Sequence, residues 1–275
     1  MSAPSPRGAV SQTAIRVVAH RGSSEDAPEH TLAAYLLAIE EGADALECDV
    51  RLTRDGHLVC VHDRRIDRTS NGRGVLSTLE LAELSELDWG SWRDTWEDYE
   101  DPEIPDRDRA EILTLRRLLE AVADAPRPVE VAIETKHPTR YAGLVERRLV
   151  ELLDQFGWAH PRLGRTSPVR VMSFSQLSLR RMRQLAPSIA TVYLMDRVPL
   201  RYRDGALPPG VRIAGPSIEV LRSHPRYVER VQRHGSQVHV WTVDEPDDVD
   251  LCIDLGVDAI ITNRPGAVLE TLGRT

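Results

Sequence analysis

Residues 16–62 read RVVAHRGSSEDAPEHTLAAYLLAIEEGADALECDVRLTRDGHLVCVH. Arg16-Val17-Val18-Ala19-His20 is a short β-branched run with strand character. From Thr31 to Glu41 the apolar residues Leu32, Tyr35, Leu36 and Ile39 recur at helical spacing, and Gly42 is placed to end the helix. Ala45-Leu46-Glu47-Cys48-Asp49-Val50 returns to strand character. Further strand-like runs follow at 129–134, 169–174, 191–194, 211–214, 237–241 and 258–262. Amphipathic segments at 115–123, 141–156, 178–185 and 226–234 lie between them. Eight strands alternating with helices over about 250 residues match the arithmetic of a TIM (β/α)₈ barrel.

One run breaks the alternation. His57-Leu58-Val59-Cys60-Val61-His62 follows the second strand after only Thr53-Arg54-Asp55-Gly56. Four residues cannot carry a parallel crossover, so 57–62 is expected to fold back antiparallel with Asp55-Gly56 as the turn. If Arg54 pairs with His57, Asp49 lies opposite His62, and Glu47 shares the face of Asp49. A slip of one residue would change that pairing. Residues 64–113 interrupt the pattern again and read as an insertion after strand 2, with a short helix within 78–87. Trp89, Trp92, Trp96 and Tyr99 cluster there, as a small local core or as a lid over a leaving group. The expected organisation is a flexible tail at 1–14 and one domain at 15–275.

The chain of 275 residues carries a net charge of −8, so a nucleic-acid backbone would be repelled overall. No window approaches 18 consecutive apolar residues, and stable membrane insertion is not expected. The N-terminal residues lack an apolar signal core, which points to a cytoplasmic protein. Three cysteines without CxxC spacing argue against a disulfide framework and against zinc. Nothing in the sequence fixes an oligomeric state. The cationic side chains are 34 arginines and a single lysine, Lys136.

Catalytic groups of a barrel sit at the C-terminal ends of its strands. Strand 1 ends in His20-Arg21-Gly22, strand 2 in Glu47-x-Asp49, the hairpin in His62-Asp63, strand 3 in Glu134-x-Lys136, strand 4 in Ser173-Phe174 and strand 7 in Trp241. Glu47, Asp49 and Glu134 are three oxygen donors from adjacent strands, suited to one hard divalent cation, Mg²⁺ or Ca²⁺. Without a cation, three carboxylates in one mouth would repel each other. Arg21 and Lys136 add positive charge, and the surplus suits an anionic substrate such as a phosphodiester. His20 and His62 are the natural acid and base, since only histidine titrates near neutrality unaided. His57, His137, His160, His224, His234 and His239 are read as structural or exposed.

Residues 19–74, together with IETK (133–136), SF (173–174), VWTV (240–243) and GVDAIITNRP (256–265), resemble the glycerophosphodiester phosphodiesterases over nearly the whole chain. The resemblance implies a TIM barrel with a family insertion and one divalent cation. The implied reaction cleaves a small-molecule glycerophosphodiester to glycerol 3-phosphate and an alcohol. It also implies that Glu47, Asp49 and Glu134 hold the metal and that His20 and His62 are the acid–base pair. Arg21 and Lys136 would contact phosphate, and Trp241 would wall the glycerol or alcohol. The implied route is attack by the neighbouring glycerol hydroxyl to give a cyclic phosphate, which water opens. The histidine that starts as base is not assigned. Three positions depart from the family pattern: His30 in PEHT for PENT, Leu113 in LTL for PTL, and Thr262-Asn263 for TD. None is expected to touch the seven polar site residues, and Thr31 is expected to take over the helix cap. Lysophospholipase D or phospholipase C-like activity shares the chemistry, and a silent phospho-ligand-binding barrel is the alternative of another class.

Overall fold

A computed structural model describes residues 15–93, 107–137 and 143–274. Nine strands and their helices follow one another along the chain, beginning β1 (Arg16–His20), α1 (Leu32–Glu40), β2 (Ala45–Leu52) and β3 (Leu58–Cys60). The insertion holds the short helices α2 (Leu81–Ser85) and α3 (Arg107–Ala110). Alternation resumes with α4 (Leu115–Ala123), β4 (Glu130–Thr135), α5 (Leu144–Gln155), β5 (Val169–Ser173), α6 (Gln176–Leu185) and β6 (Ala190–Met195). It ends with β7 (Ile213–Pro216), α7 (Ile218–Ser223), α8 (Arg226–Arg233), β8 (Gln237–Val240), α9 (Pro246–Leu255), β9 (Ala259–Thr262) and α10 (Pro265–Thr271). Strands β1, β2, β4, β5, β6, β7, β8 and β9 pair in parallel, and β9 returns to β1. The eight-stranded barrel is therefore closed, as the alternation predicts.

Side-chain alternation sorts each strand into two layers. On β2, Leu46, Cys48 and Val50 pack outward with α1, α4 and α5, alongside Leu118, Leu149 and Leu153. Ala45 points inward and packs with Val18, Ala132, Met172, Val192, Leu194, Ile213, Ala259 and Ile261. Glu47 and Asp49 share the inward parity of Ala45, and this directs both carboxylates into the barrel mouth.

The antiparallel return is present, with its register shifted by one residue from the sequence expectation. Val50 pairs with Cys60, Arg51 with Val59 and Leu52 with Leu58, and Val61 N–H donates to the Asp49 carbonyl at 3.0 Å. Asp49 thus lies opposite Val61, not His62. The cause is the turn. Thr53 and Gly56 close it with a 3.2 Å hydrogen bond, Gly56 is left-handed at φ +87°, and Thr53 pairs with His57. The loop therefore spans three residues where the sequence reading placed two.

Other boundaries move for local reasons. The strand expected at 211–214 begins at Ile213, because Val211 closes a turn on the Pro208 carbonyl. α5 begins after Gly143 at φ +75°, and positions 141–142 of the expected helix lie outside the described residues. Thr31 caps α1 by accepting from Ala34 N, as expected. In the insertion, Trp89 is buried with Val59, Val61, Ile66, Leu76, Leu84 and Ile112, so the aromatic cluster contributes a local core. Trp92 is exposed and sits 6.0 Å from the Arg68 guanidinium. Trp96, Tyr99 and the expected tail at 1–14 lie outside the described residues.

Candidate active site

Strand register assembles the site. His20 pairs with Glu47 across β1–β2, and Asp49 pairs with Glu134 across β2–β4. Oxygen atoms of Glu47, Asp49 and Glu134 all lie within 4.8 Å of one another, and the three residues are buried. Lys136 Nζ bridges two of them, 2.9 Å from Asp49 Oδ1 and 2.9 Å from Glu134 Oε2. Arg21 Nε stands 3.1 Å from Asp49 Oδ2 as an ion pair without hydrogen-bond alignment, while its Nη1 donates to Glu29 at 3.0 Å. Arg21 is left-handed at φ +59° and Gly22 follows at φ +88°. A Cβ on Gly22 would stand 2.6 Å from the Ala34 backbone, so this tight entry into α1 requires glycine.

The cluster's electrostatics fit a cation. Burial and the Asp49 charge push the Glu134 carboxyl up to about 8. Burial and Asp49 push Glu47 well above the carboxylate range as well. Burial acts in the same direction on Asp49, but Lys136, His30 and Arg21 overcome it and hold that group well below its usual range. One fixed lysine does not satisfy three carboxylates, and an all-oxygen donor set of this size suits a hard divalent ion. Among the described residues, the only hydrogen-bond donor to the Glu47 carboxylate is the Arg21 amide at 3.2 Å.

Both histidines have one ring nitrogen committed. Asn263 donates its Nδ2 to Asp244 at 2.7 Å, so its Oδ1 accepts from His20 Nδ1–H at 2.8 Å. The bare Nε2 of His20 faces the mouth, 4.0 Å from Glu47. Burial, with Arg21 adding to it, lowers the His20 imidazole to about 3. His62 donates Nδ1–H to the Asp63 carboxylate at 2.7 Å. Arg51 holds the His62 carbonyl at 2.9 and 2.6 Å, which brings that residue to the mouth although the strand ends at Cys60. Burial lowers the His62 imidazole below its ordinary value.

His20, Arg21, Glu47, His62, Glu134, Lys136 and Trp241 line one cavity of ≈ 220 Å³, with Asp49 in contact beneath. Trp241 is pinned by its indole N–H on the Gly215 carbonyl at 2.7 Å and meets Phe174 edge to face at 5.5 Å. All eight residues singled out in the sequence therefore converge.

Two of the three departures from the family pattern do touch the site, contrary to expectation. His30 Nε2 lies 3.0 Å from Asp49 Oδ2, and its Nδ1 lies 2.8 Å from the Tyr35 hydroxyl. Asn263 fixes the His20 ring. Asp63 and Asp244 join them as site residues that the sequence reading left without a role. The departures in PEHT and at Thr262-Asn263 were the available signal. His239 is buried at the opposite, N-terminal end, beside Arg170.

The family model described as "Glycerophosphoryl diester phosphodiesterase family" matches residues 20–267. The chain belongs to this family. Catalytic class follows: it is a glycerophosphodiester phosphodiesterase, a hydrolase of phosphoric diesters. A probable glycerophosphodiester phosphodiesterase 1 of Mycobacterium tuberculosis is 49% identical over 254 residues, covering 91% of this chain and 89% of the relative. A glycerophosphodiester phosphodiesterase of Caldanaerobacter subterraneus is 32% identical over 259 residues, covering 92% and 96%. Among solved structures, an Oleispira antarctica phosphodiesterase in complex with the product sn-glycerol-3-phosphate superposes with a TM-score of 0.80 at 26% identity, covering 94% and 97%. Family membership accounts for the barrel, its insertion and the convergence of these side chains. No helix among the described residues is long and apolar enough to cross a membrane.

Proposed function

We propose that the chain hydrolyses glycerophosphodiesters to sn-glycerol 3-phosphate and an alcohol, with His20 and His62 as the acid–base pair and a cyclic phosphate between two displacements. The carrying observation is the pair of pinned rings: each histidine has Nδ1 engaged and lines the cavity that also holds Arg21, Lys136, Glu47 and Glu134. Glu47, Asp49 and Glu134 would hold one divalent cation, Mg²⁺ or Ca²⁺. When bound, it would neutralise phosphate oxygens and make an adjoining hydroxyl more acidic.

The two rings differ in their partners, and this orders their roles. Burial and Arg21 keep the His20 ring neutral, and the Asn263 oxygen on Nδ1–H fixes the tautomer that leaves Nε2 bare, so His20 begins as base. The Asp63 carboxylate on His62 Nδ1 opposes the burial that lowers that ring, a charged Nδ1 partner that His20 lacks, so of the two rings His62 is the one that begins as acid. In the first displacement, His20 Nε2 takes the proton of the glycerol 2-hydroxyl, and that oxygen bonds to phosphorus. The P–O bond to the alcohol breaks, and His62 protonates the leaving oxygen. In the second, His62 takes a proton from water, the water oxygen bonds to phosphorus, and the ring P–O bond breaks. His20 then returns its proton to the departing 2-oxygen, restoring the hydroxyl of glycerol 3-phosphate. Arg21 and Lys136 contact the phosphate oxygens throughout, and Trp241 walls the organic group away from water. A glycerophosphodiester with hydrogen in place of the 2-hydroxyl tests the route: it should resist cleavage, and ordinary turnover would remove the cyclic step.

A further inference from the structure

The two halves of the cavity wall differ in charge. Its cationic and metal-type groups come from β1, β2 and β4, whereas β5, β6 and β8 supply Phe174, Leu194, Asp196 and Trp241. Asp196 follows the last residue of β6 and has the inward parity of Leu194, which packs in the barrel interior. Its carboxylate is exposed, and among the described residues no ion pair or side-chain hydrogen bond reaches it. Acids elsewhere around the mouth are engaged: Glu29 with Arg21 and Arg68, Asp63 with Arg68, Glu25 with Arg264. Asp196 also borders a neighbouring groove with Arg197, Arg203 and Arg230, but none of these arginines lines this cavity or pairs with its carboxylate among the described residues.

The same cavity wall carries an aromatic pair. Phe174 is 41% exposed and stands edge to face with Trp241, with the rings at 85°. An edge-to-face pair leaves a ring face open, and an open aromatic face beside a carboxylate attracts an organic cation.

We propose that the leaving alcohol is cationic: an ammonium or quaternary ammonium group sits between Asp196 and the Phe174–Trp241 pair. This rests on the diesterase reading above and names the alcohol class for that site. A zwitterionic diester matches the cavity end to end, its phosphate toward Arg21 and Lys136 and its cation toward Asp196. A neutral polyol leaves Asp196 in water and gains nothing from it.

The test compares kcat/KM for glycerophosphocholine, glycerophosphoethanolamine and glycerophosphoglycerol, read as glycerol 3-phosphate released. The protein should prefer the two cationic alcohols over glycerol by roughly fivefold or more, the combined scale of an exposed ion pair and a cation–π contact. Asp196→Asn should bring that ratio toward one, and Asp196→Lys should invert it. Phe174→Leu should lower the choline ratio with Asp196 still present. Wild-type ratios at or below one, or ratios that Asp196→Asn leaves unmoved in a protein that cleaves all three, overturn the inference and spare the diesterase reading. No turnover of any of the three overturns both.

Discussion

Lys136 offers the sharpest perturbation, because its ammonium is held 2.9 Å from each of two buried carboxylates. At an effective dielectric near 20, the contact with ionised Asp49 is worth about 5–6 kcal/mol before desolvation, and the contact with Glu134 less. The net cost of truncating one partner of a buried pair is about 3–5 kcal/mol. Lys136→Met keeps the aliphatic stem and removes the charge. Glu134, already pushed up to about 8, can absorb part of the loss by holding a proton. Denaturant unfolding at pH 7 with chelator present should therefore show Lys136→Met destabilised by about 3 kcal/mol. Saturating divalent cation should recover part of this, since it binds the folded carboxylates. Loss of a phosphate contact should lower kcat by about 10²–10³-fold. Lys136→Arg separates charge from shape. It should unfold within about 1 kcal/mol of wild type yet lose about tenfold in turnover, because a planar guanidinium cannot sit as a point charge between two carboxylates. Wild-type turnover by Lys136→Arg, or wild-type stability of Lys136→Met in chelator, would refute the reasoning.

Other substitutions probe the neighbouring contacts. His62→Ala should lose about 10²–10⁴-fold on choline diesters and much less on p-nitrophenyl diesters, whose leaving group needs no acid; His20→Ala should be impaired on both. Equal defects for the two variants across leaving groups would contradict the assigned order. His30→Ala should weaken divalent-cation binding by about tenfold in calorimetry, since it removes the 3.0 Å contact that orients Asp49. His30→Asn should unfold closer to wild type than His30→Ala, because asparagine tolerates the left-handed backbone at φ +62°; unchanged cation affinity in both would leave His30 a mere packing residue. Burial opposes ionisation of Glu29, but Arg68 and Arg21 hold its carboxyl down at about 2. A depressed carboxyl contributes stability above its unfolded value of about 4.3, and that contribution drains away as pH falls through about 2. Glu29→Gln should therefore cost about 1–2 kcal/mol at pH 7, discounted for the exposed Arg68, and almost nothing below pH 2.

The barrel was legible because apolar period and turn residues agree along most of the chain, and each strand-end group inherits its position from that pattern. Glu47, Asp49 and Glu134 could be grouped from alternation alone, since adjacent parallel strands carry them to one end. The hairpin register was less accessible. It depends on whether Asp55 and Gly56 alone, or Arg54, Asp55 and Gly56 together, make the bend, and the sequence is compatible with either. His30 and Asn263 escaped for another reason. His30 reaches Asp49 across 19 residues, and Asn263 reaches His20 across 243. No spacing rule encodes such contacts. Their visible trace was a departure from the family pattern, and its meaning required the left-handed turn at Arg21–Gly22 and the closure of β9 onto β1.

Glycerol 3-phosphate release from glycerophosphocholine, with Mg²⁺ or Ca²⁺ and then after exhaustive chelation, tests the central claim most directly. The account predicts release that chelation abolishes and either cation restores, with Glu47→Gln and Asp49→Asn inactive under all three conditions. Release that survives full chelation would contradict the carboxylate cluster's role.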